Sequence, residues 1–251
     1  MANYPVIPGA EPVYLPGNKT GCLVIHGFTS SPQMICEYGE FLAHKGGYTV
    51  TIPLLRGHGT HQDDLNGVTF VDWVQDLLGE VKRLQQSCDQ IFVTGLSLGG
   101  LLTSYLAATY PALFAGAIPI NAPSFWHDPE RTIALFAPDG PQELPNGAPD
   151  IKKPDVFEIV YEAMPVPAFR QVVQLMQLTE LLLPRLTCPL LVMQSLEDHW
   201  VTPDHATHLL HKAGATDKQL LWLRDSYHTA TLDYDLPVIS QAAVEFIQRL
   251  R

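Results

Sequence analysis

The sequence predicts an α/β fold: a doubly wound, mostly parallel sheet with a helical cap inserted into it. Three features carry that expectation. Short apolar runs alternate with segments of helical periodicity along 251 residues, a length that fills one sizeable domain rather than two. The later apolar runs are continuous rather than alternating, as expected of strands buried on both faces. One long stretch, from Ala122 to Leu183, breaks the rhythm and contains no strand candidate.

Taken in order, the strand candidates are Glu11–Leu15, Cys22–His26, Tyr48–Pro53, Ile91–Thr94, Ala115–Ile120, Leu190–Gln194 and Gln219–Leu223. Helical patterns fall between them at Pro32–Lys45, Thr69–Gln86, Leu98–Tyr110, Pro203–Lys212 and Leu236–Arg251. In the second of these, Val71, Val74, Leu77, Leu78, Val81 and Leu84 share one face, with Asp72, Gln75 and Asp76 elsewhere. In the last, Ile239, Ala242, Ala243, Phe246, Ile247 and Leu250 form the apolar stripe; Asp235 is placed to cap it and Pro237 suits a first turn. Residues 122–183 are punctuated by Pro129, Pro138, Pro141, Pro145, Pro149, Pro154, Pro165 and Pro167, and their second half is helical with an apolar face of Val172, Leu175, Met176, Leu178 and Leu182. Insertions of this length are usually lids or binding loops. The expected division is a core of residues 1–121 and 184–251 with a cap of residues 122–183.

A net charge of −11 argues against nucleic acid or an anionic membrane as partner, since both need a basic face. No apolar run reaches the ~18 residues of a membrane span. The start, Met1-Ala-Asn-Tyr-Pro-Val-Ile-Pro, shows neither a basic region nor an apolar core, so no secretory leader is expected. Cys22, Cys36, Cys88 and Cys188 form no C-x-x-C pair and read as small hydrophobes in a reducing compartment, the cytoplasm by default.

The chemistry concentrates at Phe92-Val-Thr-Gly-Leu-Ser-Leu-Gly-Gly100. A β-prone run meets Gly95-Leu96-Ser97-Leu98-Gly99 and passes straight into a helical run, which is a strand, a sharp turn and a helix with a serine at the tip. Such a turn brings positions 95 and 99 together, where Cβ atoms would collide, and strains Ser97. A serine hydroxyl needs a base oriented by an acid. In this topology acid and base follow the serine in that order, each at the carboxyl end of a strand. After Leu190–Gln194 comes Ser195-Leu-Glu-Asp-His199; after Gln219–Leu223 comes Arg224-Asp-Ser-Tyr-His228. His228 is the expected base. Order and spacing favour Asp198 as acid, with neighbouring Glu197 as the alternative.

The remaining histidines read blandly. His199 is placed at the mouth of the site, His26 as a structural support of its loop, and His44 on the surface. His205, His208 and His211 lie three apart on one helix and read as a solvated face, because no carboxylate or cysteine completes a metal site. The oxyanion of a tetrahedral intermediate needs backbone donors, and the N–H groups of Leu98 and Phe28 are the expected pair: Leu98 begins a helix and Phe28 lies in the loop His26-Gly-Phe-Thr29. Arg56-Gly-His-Gly59 lacks the context of a dinucleotide site and reads as a tight loop. No cofactor and no metal are expected.

Across nearly its whole length the chain resembles the bacterial monoacylglycerol lipases and carboxylesterases of the α/β-hydrolase superfamily. The likeness is carried by Tyr4-Pro-Val6, Gly9-Ala-Glu-Pro12, Val24-Ile-His-Gly-Phe-Thr29, Arg56-Gly-His-Gly-Thr-His61, Asp72-Trp-Val74 and Ile91–Gly100. Pro119-Ile-Asn-Ala122, Glu197-Asp-His199 and Ser226–Asp235 continue it. The resemblance implies the α/β-hydrolase fold, a triad of Ser97, Asp198 and His228, and oxyanion donors at Phe28 and Leu98. It also implies a small cap over an apolar acyl channel, with Glu158 on the glycerol side; an exposed helix carboxylate is the other reading of that residue. Ser124–Asp150, with Phe125, Trp126 and Phe136, departs from the family pattern. The implied activity is hydrolysis of monoacylglycerols and other short- to medium-chain esters. A general carboxylesterase, lysophospholipase or thioesterase would use the same machinery, and a non-catalytic binding protein would leave the serine unreactive.

Overall fold

The computed structural model describes residues 4–251; residues 1–3, the start of the stretch read above for a leader, lie outside it. Its centre is a seven-stranded sheet of β1 (Val13–Leu15), β2 (Thr20–Ile25), β3 (Thr49–Ile52), β4 (Gln90–Leu96), β5 (Gly116–Ile120), β8 (Leu190–Ser195) and β9 (Lys218–Leu223). The strands lie in the order β1-β3-β2-β4-β5-β8-β9, with only β1 antiparallel to its neighbour. The continuously apolar runs are the interior strands: every residue of β2, β5 and β8 is buried. β9, at the sheet edge, is buried only at its last residue.

Helices cover both faces. α1 (Cys36–Gly46) and α7 (Leu236–Arg249) pack on one side, where Tyr38, Leu42, Ile239 and Phe246 meet Val24, Phe92 and Ile118. α2 (Phe70–Leu84), α3 (Leu98–Thr109) and α6 (Asp204–Lys212) cover the other, where Trp73, Leu77, Leu101 and Leu209 meet Leu23 and Val93. Successive residues of β4 serve opposite faces, which is the two-residue period of a strand. Thr69 caps α2 reciprocally: its hydroxyl accepts the Asp72 N–H at 3.3 Å and the Asp72 carboxylate accepts the Thr69 N–H at 2.9 Å. Asp235 precedes α7 but does not cap it; its carboxylate accepts the Asp225 N–H instead, at 2.8 Å.

From β2 the chain steps to β3 on one side, then crosses back over β2 to β4 on the other. The crevice at the carboxyl ends of β2 and β4 is therefore the topological switch point, the usual place for a ligand in an open α/β sheet. Between β5 and β8 lie α4 (Pro129–Phe136), β6 (Glu143–Pro145), β7 (Ala163–Pro165) and α5 (Val166–Leu182). The expectation of no strand in this stretch is corrected: β6 and β7 pair antiparallel. They are only three residues each and rich in proline, too short for a two-residue period to register.

Candidate active site

The elbow is built locally. Ser97 sits between β4 and α3 at φ 59° and ψ −118°, a region that a side-chain-bearing residue occupies only when its surroundings hold it there. Its N–H donates to the Ile120 carbonyl at 3.0 Å, and its carbonyl accepts the Leu101 N–H at 2.9 Å. The flanking glycines are steric necessities. A Cβ on Gly95 would lie 2.6 Å from the Gly99 carbonyl, and one on Gly99 would lie 2.0 Å from the Ile25 carbonyl oxygen.

The loop after β2 passes beside the elbow, with Gly27 close enough that a Cβ there would stand 3.6 Å from the Ser97 Cβ. Phe28 and Leu98 line the pocket next to Ser97. Leu98 is the first residue of α3, where N–H groups lack intrahelical acceptors. His26 secures this loop: its Nε2 accepts the Leu55 N–H at 3.1 Å and its Nδ1 donates to the Gly27 carbonyl at 2.8 Å. Full burial lowers its pKa to about 4, so the ring is neutral and can play both roles. His58 stands edge-on to His26 and Phe28, on a turn where Gly57 and Gly59 take positive φ (81° and 65°); burial holds it well below the ordinary imidazole range. The glycine-rich loop is thus a buttress under the Phe28 segment.

Asp198 and His228 face each other from the loops after β8 and β9, with the His228 Nδ1 at 2.9 and 3.0 Å from the two carboxylate oxygens. The carboxylate also accepts the N–H groups of Trp200 at 2.9 Å and Val201 at 2.7 Å. A carboxylate only accepts, so Nδ1 carries a proton, and in the neutral ring Nε2 keeps its lone pair. Burial opposes protonation of His228, but the charge and hydrogen bond of Asp198, joined by Asp150 and Glu158, outweigh it and raise the imidazole above its ordinary value. Glu197 points elsewhere and pairs with Lys152 at 2.8 Å. His199 is exposed at the rim, bonded to Asp150 at 2.7 Å.

Ser97 and His228 line one pocket. Its apolar wall includes Leu98, Phe125, Trp126, Phe169, Val172 and Met176; its polar wall includes Ser30, Asn146, Asp150, Glu158 and Thr229. Most of the apolar wall comes from residues 122–183. Glu158 is not an exposed helix carboxylate: it is buried in a segment outside helix and strand, accepting from Ser30 Oγ at 2.7 Å and Thr229 Oγ1 at 3.3 Å. Burial raises its pKa against the opposing pull of those hydroxyls and of His228.

The solvated histidine face is corrected as well. Only His211 is exposed. His205 stacks on Phe125 at 4.0 Å and accepts the Ser124 N–H at 3.0 Å, while His208 and His127 both approach Glu180 at 3.2 Å. The helical pattern could not show this, because the partners come from the stretch between β5 and β8, whose Ser124, Phe125 and Glu180 meet α6. Among the described residues no group of three or more His, Cys, Asp or Glu is arranged to hold a metal ion. Sequence reasoning also passed over Asn121 and Asp150, which touch the loop bearing His228.

An alpha/beta hydrolase family model matches residues 22–244. A thermostable monoacylglycerol lipase of Bacillus sp. (strain H-257) is 42% identical over 248 residues, covering 98% of this chain and 97% of that protein. A carboxylesterase of Bacillus subtilis (strain 168) is 25% identical over 244 residues, covering 96% and 97%. A solved structure from work on the metagenome-derived lipolytic enzymes LipS and LipT superposes with a TM-score of 0.94 at 43% identity, covering 98% of this chain and 100% of that one. The chain belongs to the alpha/beta hydrolase family.

Proposed function

We propose that this chain hydrolyses carboxylic esters, monoacylglycerols and other short- to medium-chain acyl esters above all, through Ser97, His228 and Asp198. The observation that carries the reading is the Asp198–His228 pair, at 2.9 Å, opening on the same pocket as the strained Ser97. Ser97 Oγ attacks the ester carbonyl while His228 Nε2 takes its proton. The Phe28 and Leu98 N–H groups receive the developing oxyanion. His228 then protonates the leaving alcohol, and water repeats the sequence on the acyl-enzyme. Asp198 fixes the imidazole tautomer and stabilises its charged form. In this reading residues 1–121 and 184–251 form the core, and residues 122–183 form a cap whose Trp126, Phe169 and Met176 house the acyl chain. Glu158 meets the glycerol hydroxyls. The thermostable monoacylglycerol lipase relative supports the substrate class. No helix of the described residues is long and apolar enough to cross a membrane; the four free cysteines and the acidic balance support a cytoplasmic protein with no nucleic-acid partner.

The test is a panel of monoacylglycerols and p-nitrophenyl esters of increasing chain length, assayed with the wild type, Ser97→Ala and His228→Ala. Each variant should lose roughly 10⁴–10⁶-fold in kcat while staying folded. Near-normal turnover by either rules the mechanism out. A flat response between monoacylglycerols and p-nitrophenyl esters would favour a general carboxylesterase, the activity named for the Bacillus subtilis relative.

A further inference from the structure

His228 is held by its backbone as well as by its ring. Its N–H donates to Asp150 Oδ2 at 3.1 Å, and its carbonyl accepts from Asn121 Nδ2 at 2.7 Å. Two side chains from remote segments therefore grip the amide on one side of the residue and the carbonyl on the other. Asn121 lies fully buried directly after β5, at φ 44°. Its Oδ1 accepts the Ser195 N–H at 2.7 Å, and its Nδ2 also reaches Ser195 Oγ at 3.0 Å, which donates onward to the Tyr227 carbonyl at 2.8 Å. One amide thus ties the end of β5 to the end of β8 and to residues 227–228. A glycine would take the positive φ without strain, so the side chain's hydrogen bonds are what the site needs there.

Asp150 belongs to the 122–183 insertion. Besides the His228 N–H it accepts the His199 N–H at 3.2 Å and meets His199 Nδ1 at 2.7 Å, while its own carbonyl accepts the Thr229 N–H at 3.0 Å. The next residues continue the attachment: the N–H groups of Lys152 and Lys153 donate to the Asp233 carboxylate at 2.7 and 3.0 Å. The insertion is therefore fastened to the very loop that carries the imidazole.

We propose that Asn121 and Asp150 are positioning residues that clamp the His228 peptide, so that the imidazole reaches its working place only while the insertion is docked. The proposal rests on the reading of His228 as general base. A small displacement of a base from its attack geometry is costly: ~1 Å can cost ~10²-fold. Three carboxylates act on the charge of the ring: Asp198, bonded to Nδ1, and Asp150 and Glu158, which act through space; His199 lies beyond Asp150, and His205 feels the charge of Asp198.

The experiment uses the full chain, steady-state hydrolysis of p-nitrophenyl butyrate and its pH profile. Asp150→Ala should lower kcat by ~10²-fold with KM moved by less than ~3-fold, since the group acts on the base rather than on ground-state binding. Asp150→Asn keeps an oxygen for the His228 N–H and should recover kcat to within ~10-fold of wild type. It should also shift the acidic limb of the profile to lower pH, because one of the anions favouring the imidazolium is gone. Asn121→Gly, which fits the backbone but removes both donors, should repeat the kcat loss at little change in KM. Wild-type kcat in Asp150→Ala and Asn121→Gly overturns the clamp, whatever the limb of Asp150→Asn does. Should Asp150→Ala fail to fold, Asn121→Gly carries the test through its kcat. His228→Ala is run alongside: its inactivity secures the base independently, so wild-type behaviour of the clamp variants counts against the clamp only.

Discussion

Ser97 is placed by backbone packed against backbone, whereas His228 is placed by side chains up to 107 positions away. At the elbow, Gly95 and Gly99 let a buried strand turn straight into α3, and the backbone carbonyls of Ile25 and Ile120 close on the turn that holds the serine in its unusual geometry. The histidine sits in a loop with no such local compulsion, and Asn121, Asp150 and Asp198 converge on it from three other parts of the chain. The elbow is rigid because backbone has nowhere else to go. His228 is held only as long as side chains from elsewhere keep their grip. A steric site fails when atoms are added, and a hydrogen-bonded site fails when donors, acceptors or charges are removed.

The largest effect belongs to the hydrogen-bonded side. Asp198→Asn preserves shape but supplies an amide that can donate to His228 Nδ1, favouring the tautomer whose Nε2 can no longer accept the Ser97 proton. We expect kcat to fall by about 10⁴-fold with the fold intact. Glu197→Gln, which only releases an exposed pairing with Lys152, should leave kcat within about twofold of wild type. Parity between the two variants in steady-state assays would remove the distinction drawn between these adjacent carboxylates.

On the steric side the expected break is one of stability. Gly99→Ala drives a Cβ to 2.0 Å from the Ile25 carbonyl oxygen and 2.8 Å from that of His26, both backbone atoms that cannot swing away. Destabilisation beyond about 4 kcal/mol is expected, read as loss of soluble protein or a collapse in Tm. Gly79 is the control: it lies on the exposed side of α2, where an added Cβ meets nothing within 4 Å. Gly79→Ala should stabilise by about 1 kcal/mol through helix propensity alone. Similar melting temperatures for the two alanine variants would mean that the elbow is less constrained than its geometry implies.

The same contrast explains what was legible in the sequence. Buried strands, the amphipathic α2 and the elbow are encoded in short windows, so the sheet and Ser97 could be read directly. The meeting of Asp198 and His228 could be read because both follow strand ends, those of β8 and β9, in a set order. The orientation of Asp198 over Glu197 depends on a loop whose N–H groups at 200 and 201 turn the carboxylate inward, which no periodicity announces. The burial of Glu158, the stacking of His205 on Phe125 and the grip of Asp150 all arise from an insertion folding back on distant elements. Proline-rich chain without a repeat gives no register from which such contacts could be inferred.

Glu158 joins the two regions, accepting from Ser30 on the loop beside the elbow and from Thr229 next to His228. Its burial raises the carboxyl pKa, so within the window above the ordinary carboxylate value the native state holds its proton more tightly than the unfolded chain does. Stability attributable to this residue therefore falls as pH rises through that window, and the penalty is absent at more acid pH. Glu158→Gln keeps the shape and an acceptor but never ionises. The variant should be more stable than wild type at pH 8 by on the order of 1 kcal/mol, or about 2–4 °C in Tm at this chain length, with the gap closing toward pH 4. It should also lose activity on monoacylglycerols more than on p-nitrophenyl esters, because only the former present hydroxyls to the carboxylate. Equal melting curves across pH with no selective loss would reduce Glu158 to a spacer between the loops. A stability gain paired with a selective loss would instead mark it as a charge kept buried for the sake of the alcohol half of the substrate.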